Sequence, residues 1–219
     1  MSVITIERKV LEKNDQVAAE NRELLGKHGI FAINVVSSPG AGKTSILERT
    51  LEHLKGRIPV AVIEGDVQTD IDARRVAKYN VPAVQIVTAG GCHLEANLVR
   101  DALRNLDLTD IRLLVIENVG NLVCPSNYDL GEALKVVVAS TTEGDDKPLK
   151  YPAMFRNSAV LIINKIDLVP YVNCNLGTLR NNALQINPSL IVFETSCTTG
   201  AGIPEWCQWL ETMSKSPRA

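Results

Sequence analysis

The sequence has few aromatic residues and almost no net charge. Phe, Trp and Tyr make up only 4% of the 219 residues, which leaves few platforms on which nucleic acid bases could stack. Lys and Arg number 23 and Asp and Glu number 25, for a formal net charge of −2. The chain as a whole therefore has no general attraction for phosphate backbones or anionic lipid. We expect no nucleic acid partner.

Long apolar runs and an even set of cysteines are also missing. No run approaches the roughly 18 residues of a membrane-spanning helix, and residues 1–15 carry charges where a secretory signal would have an apolar core. We therefore expect no membrane association, no export signal and a cytoplasmic location. The five cysteines are odd in number, which in a reducing compartment argues against a disulfide framework. A cysteine with a special role would then be a metal ligand or a nucleophile.

Short apolar runs alternate along the chain with stretches of helical pattern. The runs span residues 31–36, 60–63, 84–87, 113–116, 136–138, 160–163 and 191–193, and the helical patterns span residues 45–54, 70–79, 94–106, 176–185 and 204–213. Nearly continuous apolar strands indicate a mostly parallel central sheet with helices on both faces. The length favours one domain. We predict an α/β domain over residues 31–219 after an N-terminal helical segment over residues 1–30, with a long mobile loop at residues 141–151.

The first predicted strand leads into a sequence that fits a phosphate-binding loop. Residues 37–44, S-S-P-G-A-G-K-T, match the pattern G-x-x-x-x-G-K-[ST] except that Ser37 replaces the first glycine. Gly40 and Gly42 let backbone N–H groups turn toward phosphate, Lys43 supplies a positive charge, and Thr44 offers a hydroxyl to Mg²⁺. The residues expected to bind the nucleotide phosphates are Gly40, Ala41, Gly42, Lys43, Thr44 and Ser45. The pattern predicts a P-loop NTPase.

The strand at residues 160–163 ends in N-K-I-D, residues 164–167. A guanine edge presents two adjacent donors that one carboxylate can accept together, and adenine lacks that pair. Asp167 is therefore the predicted reader of the base. The stem of Lys165 would cover one face of the base, Asn164 would tie this loop to the phosphate loop, and Ser196 and Cys197 would form a further base-contacting loop. These residues predict GTP and GDP as ligands and a GTPase (G) domain over residues 31–219.

Two more strand ends carry carboxylates suited to Mg²⁺ and to hydrolysis. Glu117 would hold a Mg²⁺-bound water, and the Gly120 amide would contact the γ-phosphate and so sense its presence. Asp66 would orient water or complete the Mg²⁺ shell, although this acidic loop could instead serve to cap the next helix through Asp70. The expected catalytic residues are Lys43, Asp66, Glu117 and Gly120, and the expected Mg²⁺ ligands are Thr44, Asp66 and Glu117. No arginine finger can be assigned beyond the candidates Arg74 and Arg75.

A second chemistry is indicated by Cys92, His93 and Cys124. The first two stand in G-G-C-H after the strand at residues 84–87, where we expect a helix to open, and Cys124 stands four residues after Gly120. Two thiolates and an imidazole suit Ni²⁺ or Zn²⁺ far better than Mg²⁺. Two alternatives stay open. The cysteines could be small buried hydrophobes, or a Cys–His nucleophile pair, although neighbours on a helix do not face each other.

Taken together, these motifs resemble one known family. The set S-S-P-G-A-G-K-T, E-G-D-V-Q-T-D-I-D-A, G-G-C-H-L, E-N-V-G-N-L-V-C-P and N-K-I-D is similar to that of the HypB family, the GTPases that insert nickel during [NiFe]-hydrogenase maturation. The resemblance runs from about residue 32 to residue 209 and is most specific over residues 90–94 and 117–125. Many relatives also carry an N-terminal cysteine cluster and a His-rich tract. Residues 1–30 have no Cys and only His28, so a separate storage site is not expected.

The resemblance implies a SIMIBI-class P-loop GTPase that forms a homodimer on GTP binding. It further implies nickel or zinc bound through Cys92, His93 and Cys124, and partnership with other hydrogenase maturation proteins and with the hydrogenase large subunit. Our hypothesis is that GTP orders residues 117–124 and sets the metal geometry, so that hydrolysis gates metal transfer.

Several other functions would explain part of this set of motifs. Urease nickel-delivery GTPases share the chemistry but are characterised by a Cys-Pro-His motif. In this chain Cys92 is followed directly by His93, without the proline. The GTPase chaperone of cobalamin-dependent methylmalonyl-CoA mutase would not call for the Cys and His set, and a small-molecule kinase would leave residues 164–167 unexplained. A metal-free regulatory GTP-binding module is the non-enzymatic alternative.

Overall fold

Seven parallel strands form one central sheet in the computed structural model of this chain. The structure describes residues 6–67 and 71–216, with the backbone alone for residues 6–10 and 71–73. The strands are β1 (Phe31–Ser37), β2 (Val60–Asp66), β3 (Ala83–Val87), β4 (Leu113–Glu117), β5 (Leu134–Ser140), β6 (Val160–Asn164) and β7 (Ile191–Glu194). Their order is β3-β2-β4-β1-β5-β6-β7, and each neighbouring pair is parallel. The predicted α/β class is confirmed.

Helices pack on both faces of this sheet. They are α1 (Ile6–Lys27), α2 (Lys43–Leu54), α3 (Ile71–Ala77), α4 (Ala96–Leu103), α5 (Lys147–Lys150), α6 (Pro152–Arg156), α7 (Leu176–Ile186) and α8 (Ile203–Lys215), with 3₁₀ turns at Cys124–Asn127, Thr141–Glu143 and Ile166–Tyr171. Successive β1 side chains point to opposite faces. Ile33 packs in the cluster that holds α2 and α8, whereas Ala32 and Val36 pack in clusters that hold α1, α4, α6 and α7. The described residues include no helix long and apolar enough to cross a membrane.

Helix α8 carries both tryptophans of the chain. Trp206 is fully buried, and its Nε1 donates a hydrogen bond to Thr50 Oγ1 of α2 at 3.0 Å. Its ring stacks on Trp209, with centroids 5.5 Å apart, and meets the edge of Phe193 at 5.4 Å. Such aromatic pairs add to the energy of simple apolar burial. This cluster fixes α8 against α2, the helix that begins at the phosphate loop.

Buried amide side chains fasten α1 to the rest of the fold. Asn21 Nδ2 donates to the carbonyl oxygens of Ala96 and Leu130, both at 2.9 Å. Asn14 Oδ1 accepts from the backbone N–H of Ala96 at 2.9 Å, at the start of α4. Buried polar groups are costly unless they are hydrogen-bonded, so these amides specify where α1 docks. The division of the chain at residue 30 stays a prediction.

Two segments differ from the sequence prediction. Residues 90–93 form a turn and α4 begins at Ala96, because Ala89 and Gly90 adopt positive φ values of 50° and 103°, which a right-handed helix does not contain. The prediction that Cys92 and His93 open a helix is therefore wrong. Residues 141–151 are largely helical rather than a loop, since the Ser140 side chain and Glu143 form a capping box. Asp70, the alternative helix cap, lies outside the described residues.

Candidate nucleotide cleft and metal centre

A cleft of about 530 Å³ opens at the carboxyl ends of the central strands. Its lining includes the phosphate loop and the ends of β2, β4 and β6: Pro39, Gly40, Gly42, Lys43, Thr44, Ser45, Gly65, Asp66, Val67, Arg75, Glu117, Asn118, Val119, Gly120 and Lys165. Ligands of open α/β sheets bind in this position. Most of the residues predicted to bind phosphate and Mg²⁺ thus face one cavity.

The phosphate loop has the backbone that its glycines permit. Gly40 and Gly42 adopt positive φ values of 77° and 104°. A Cβ atom on Gly42 would lie 2.4 Å from Asn164 Nδ2, so glycine is required there by both conformation and space. Lys43 is buried at the start of α2, and its Nζ donates to Ser37 Oγ at 3.1 Å. Ser37, the departure from the common pattern, thus contacts the lysine that the phosphates would use.

The predicted Mg²⁺ ligands lie beside this loop. Thr44 Oγ1 donates to Glu117 Oε1 at 2.7 Å, with both side chains buried. Asp66 ends β2 at the same cleft. A hydroxyl and carboxylate oxygens are the donor set that Mg²⁺ prefers, so these residues fit the ion. Gly120 approaches the loop closely, since a Cβ there would lie 3.1 Å from Pro39 Cγ.

The N-K-I-D segment is joined directly to the phosphate loop. Asn164 Nδ2 donates to the Ala41 carbonyl at 3.0 Å, which is the tie expected from the sequence. Lys165 adopts a left-handed conformation, with φ of 61°, and its Nζ donates to the Gly40 carbonyl at 2.7 Å. Asp167 is half-buried in the turn that follows. Its contact with a guanine base stays a prediction.

Ser196 and Cys197 lie next to that segment, after β7. Asn164 Oδ1 accepts from Thr195 Oγ1 at 3.2 Å and lies 3.7 Å from Cys197 Sγ. The Cys197 carbonyl accepts from Arg49 Nε of α2 at 2.9 Å. Burial raises the pKa of the Cys197 thiol, which keeps it a neutral packing group. The two loops are thus bonded to each other through Asn164, and a contact of Ser196 and Cys197 with a base stays a prediction.

Cys92, His93 and Cys124 come together in the structure. One potential ligand atom from each lies within 4.8 Å of the others, and Cys92 Sγ is 3.5 Å from His93 Nδ1. The residues belong to two loops, one before α4 and one that starts the turn Cys124–Asn127. Because the first loop is not helical, its Cys and His side chains can converge. Three ligands of this type fit nickel or zinc.

The electrostatics of this cluster favour a neutral imidazole. Burial lowers the pKa of His93, and a hydrogen bond with the Cys124 thiol, followed by burial, raises the pKa of Cys92. His93 Nε2 is buried and has no hydrogen-bond partner among the described residues. The imidazole ring packs on Tyr128, with centroids 4.0 Å apart. A neutral imidazole keeps a lone pair on one of its ring nitrogens, and in that form it can bind a metal.

Two residues around these sites were missed by sequence reasoning. Asn118, directly after β4, and Lys135, on β5, are buried and bond to the loops that carry the candidate metal ligands. Arg75, one of the two arginine-finger candidates, lines the cleft, where its guanidinium pairs with Glu48 of α2. A polar residue in or directly after an apolar strand is the sequence signal that could have marked Asn118 and Lys135.

Comparison with known proteins identifies the family. Residues 31–194 match the family described as CobW/HypB/UreG, nucleotide-binding domain. The hydrogenase maturation factor HypB of Rhizobium leguminosarum bv. viciae is 51% identical over 209 residues, which cover 95% of this chain and 70% of that protein. The HypB of Escherichia coli K12 is 47% identical over 210 residues, with 96% and 72% covered.

Solved structures agree in fold and in sequence. The crystal structure of HypB from Helicobacter pylori in complex with nickel superposes with a TM-score of 0.89 at 38% identity, covering 94% of this chain and 99% of that one. HypB from Archaeoglobus fulgidus gives a TM-score of 0.88 at 37% identity, covering 94% and 100%. The signal recognition particle receptor FtsY of Elizabethkingia anophelis shares only the fold, with a TM-score of 0.55 at 16% identity, covering 83% and 65%. The chain therefore belongs to the HypB hydrogenase maturation factors, the GTPases of the CobW/HypB/UreG family.

Proposed function

We propose that this protein couples GTP binding and hydrolysis to the binding and release of nickel at Cys92, His93 and Cys124, and so delivers nickel to [NiFe]-hydrogenase. The observation that carries the proposal is the segment over residues 117–124, which begins at the last residue of β4. It holds Glu117 beside Thr44 in the cleft and Cys124 in the metal cluster. One short stretch of chain therefore serves both sites. A phosphate-dependent movement at its first residues would shift a metal ligand at its end.

The nucleotide side of the proposal assigns a role to each residue of the cleft. Lys43 and the backbone N–H groups of residues 40–45 hold the phosphates. Asp167 accepts the two donors of guanine. Thr44, Asp66 and Glu117 would hold Mg²⁺, which when bound supplies positive charge against the phosphate oxygens. The Gly120 amide would sense the γ-phosphate, since that glycine lies against Pro39 of the loop.

The metal side of the proposal treats nickel as cargo. Two thiolates and an imidazole bind Ni²⁺ and Zn²⁺ well. Three protein ligands leave a coordination position open, through which a receiving protein's ligand can enter. A metal-free regulatory module would give no reason for an imidazole clustered with two thiols, with Nδ1 of His93 3.5 Å from Cys92 Sγ. We further propose a GTP-dependent homodimer, and contacts with other maturation proteins and with the hydrogenase large subunit.

Nickel affinity measured in two nucleotide states tests the proposal. The purified protein is loaded with GDP or with a non-hydrolysable GTP analogue, and nickel binding is followed by the thiolate-to-nickel charge-transfer absorption. We expect dissociation constants that differ by about fivefold or more, the usual range of coupled sites. Cys92→Ala should abolish that absorption and leave GTP hydrolysis intact, whereas Cys174→Ala serves as the matched cysteine control. Identical affinities and spectra with both nucleotides would refute the coupling.

A further inference from the structure

The buried carboxamide of Asn118 connects the nucleotide cleft with the metal loop, by which we mean the loop that carries Cys92 and His93. Asn118 follows β4 directly, and only 1% of its surface is exposed. Its Oδ1 accepts from the backbone N–H of Leu94 at 3.1 Å and from that of Val119 at 2.9 Å. Leu94 comes directly after His93, and Val119 directly before Gly120. One oxygen atom therefore connects the metal loop to the segment expected to sense the γ-phosphate.

The other end of the same side chain is fixed by a buried polar chain. Asn118 Nδ2 donates to Asn34 Oδ1 of β1 at 3.1 Å, and Asn34 Nδ2 donates to Glu132 Oε1 at 3.2 Å. Glu132 Oε2 accepts from the Leu130 N–H at 2.6 Å. The groups in this chain are all buried. A buried amide that uses both its oxygen and its nitrogen has one orientation in which its bonds are all made.

That restriction makes the carboxamide a mechanical link. Val119 N–H bonds to the side chain of the preceding residue, so any rotation of the backbone at residues 118–119 moves Oδ1. The acceptor of Leu94 then moves as well. Leaving a buried N–H without an acceptor is unfavourable. The loop with Cys92 and His93 must therefore move together with residues 117–120, or the Leu94 N–H loses its hydrogen bond to Asn118. His93 precedes Leu94 directly, and its Nε2 has no hydrogen bond to any described residue that would hold the ring in place independently.

We propose that Asn118 is the positioning residue that transmits the nucleotide state from the segment 117–120 to the loop carrying Cys92 and His93. This inference rests on the proposed function and names the part of the structure that performs it. Asn118 touches neither the phosphates nor the metal in this role; it acts through Val119 on one side and Leu94 on the other.

A thermodynamic cycle on Asn118→Ala tests the assignment. The quantity measured is the ratio of nickel dissociation constants with GDP and with a non-hydrolysable GTP analogue. In the wild type we expect a ratio that departs from one by about fivefold or more. In Asn118→Ala we expect a ratio within about twofold of one, even if both affinities shift. Reciprocity requires the same loss in the ratio of nucleotide affinities measured with and without nickel.

Two further variants separate coupling from general damage. Asn118→Asp keeps an acceptor oxygen for Leu94 and Val119 but places a second oxygen against Asn34 Oδ1, so more of the coupling should remain than in Asn118→Ala and less than in the wild type. Asn187→Ala is the matched control, because the Asn187 amide donates to the backbone carbonyls of three residues that are neither candidate ligands nor bonded to Asn118: Phe155, Arg156 and Ser158. Its ratio should equal that of the wild type.

The outcomes distinguish this inference from the function beneath it. A ratio of one in the wild type overturns the proposed coupling itself. A wild-type ratio that persists in Asn118→Ala overturns the role of Asn118 alone. If Asn118→Ala does not fold, amide hydrogen exchange of Leu94 in the wild-type protein decides the matter. We expect its protection to differ between the two nucleotide states, and equal protection would contradict the inference.

Discussion

The nucleotide cleft and the metal cluster lie side by side but are built differently. In the cleft, residues expected to bind ligand bond to one another: Thr44 to Glu117, and Lys165 to the Gly40 carbonyl. In the metal cluster the candidate ligands also contact one another, with Cys92 Sγ 3.5 Å from His93 Nδ1, but His93 Nε2 has no hydrogen-bond partner in the part of the chain that is described. The loops that carry these ligands are fixed by two residues that are not ligands themselves, Asn118 and Lys135.

This difference suits the two ligands proposed for this domain, a nucleotide that is hydrolysed in place and a metal that is passed on. A phosphate site gains from polar groups fixed in advance, since they need not reorganise when charge develops. A site for a metal that is passed on gains from ligands whose positions depend on neighbouring residues such as Asn118 and Lys135. A change in the conformation of those neighbours can then change the affinity for the metal. In the absence of nickel, the cleft is therefore expected to keep its nucleotide affinity when a ligand of the metal cluster is replaced. The nickel affinity of the cluster is expected to respond to changes at Asn118 and Lys135.

The largest expected effect concerns Lys43. Lys43→Ala removes the buried positive charge at the phosphate loop, so GTP hydrolysis should fall by about 100-fold to 1,000-fold. The nickel affinity of the nucleotide-free protein should stay within about twofold, because Lys43 is not one of the three proposed nickel ligands and its Nζ bonds to Ser37. Steady-state phosphate release and nickel titration measure the two quantities. The exposed Lys55→Ala is the control. Loss of nickel binding in Lys43→Ala would mean that the two sites are not separable.

The next effect concerns the base pocket. Asp167→Ala removes the acceptor for two guanine donors, which should weaken GTP binding by roughly 3 kcal/mol, or about 100-fold. Because ATP lacks that donor pair, its affinity should change little. Competition of both nucleotides against a fluorescent GDP analogue checks this, with the exposed Asp110→Ala as control. An equal loss for GTP and ATP would show that Asp167 supports the loop rather than reads the base.

A smaller effect is expected from the layer beneath the metal cluster. Lys135 Nζ donates to the carbonyl oxygens of Pro125, Ser126 and Tyr128, directly after Cys124. Burial lowers the pKa of its ammonium, but the three acceptors require it charged. Lys135→Met should release this turn and weaken nickel binding by about tenfold, the usual cost of losing an outer contact at a metal site.

The same variant should leave GTP affinity within about twofold, which isothermal titration can measure alongside nickel binding. Lys150→Met is a matched control, because Lys150 is exposed on α5. If Lys135→Met weakens GTP binding as much as nickel binding, the turn is not specific to the metal cluster.

The smallest effect is on stability and pH. Burial lowers the pKa of His93 in the folded chain, so the unfolded chain, with a pKa of about 6.5, binds a proton that the folded chain resists. The free energy of unfolding of metal-free protein should therefore fall as the pH drops through about 6.5 toward the folded pKa. His93→Gln should flatten that slope in urea titrations, and His28→Gln should not. An unchanged slope in His93→Gln would remove His93 as its source.

The sequence predicted the cleft far better than the metal loops. The phosphate loop and the N-K-I-D segment are contiguous motifs, so their residue types and the strands before them point to one chemistry. The metal ligands come from two loops, and their convergence depends on the positive φ values at Ala89 and Gly90, which the expectation of a helix missed. Asn118, Asn34 and Lys135 form long-range bonds that no local pattern encodes.

The strands could be predicted because their pattern, like a contiguous motif, is local in the sequence. Buried runs such as β1 and β6 are apolar on both faces, and this pattern is visible in the sequence. Residues 141–151 were predicted as a loop because Gly144, Asp145, Asp146 and Pro148 stand close together in them. The capping box of Ser140 and Glu143 outweighed that composition, and its S-x-x-E spacing was present in the sequence.

The pairing of the two tryptophans on α8 sets what fluorescence can report about this protein. Both indoles lie in the layer between α8 and the sheet, on the face opposite α1 and α4. Their emission should therefore follow global unfolding of that layer and remain nearly silent when the metal loops rearrange. Tyrosine is better placed for the second purpose, because Tyr128 packs on His93. A quenching ion such as Ni²⁺ bound there should dim Tyr128 first, which gives an optical record of cargo loading that is separate from the record of folding.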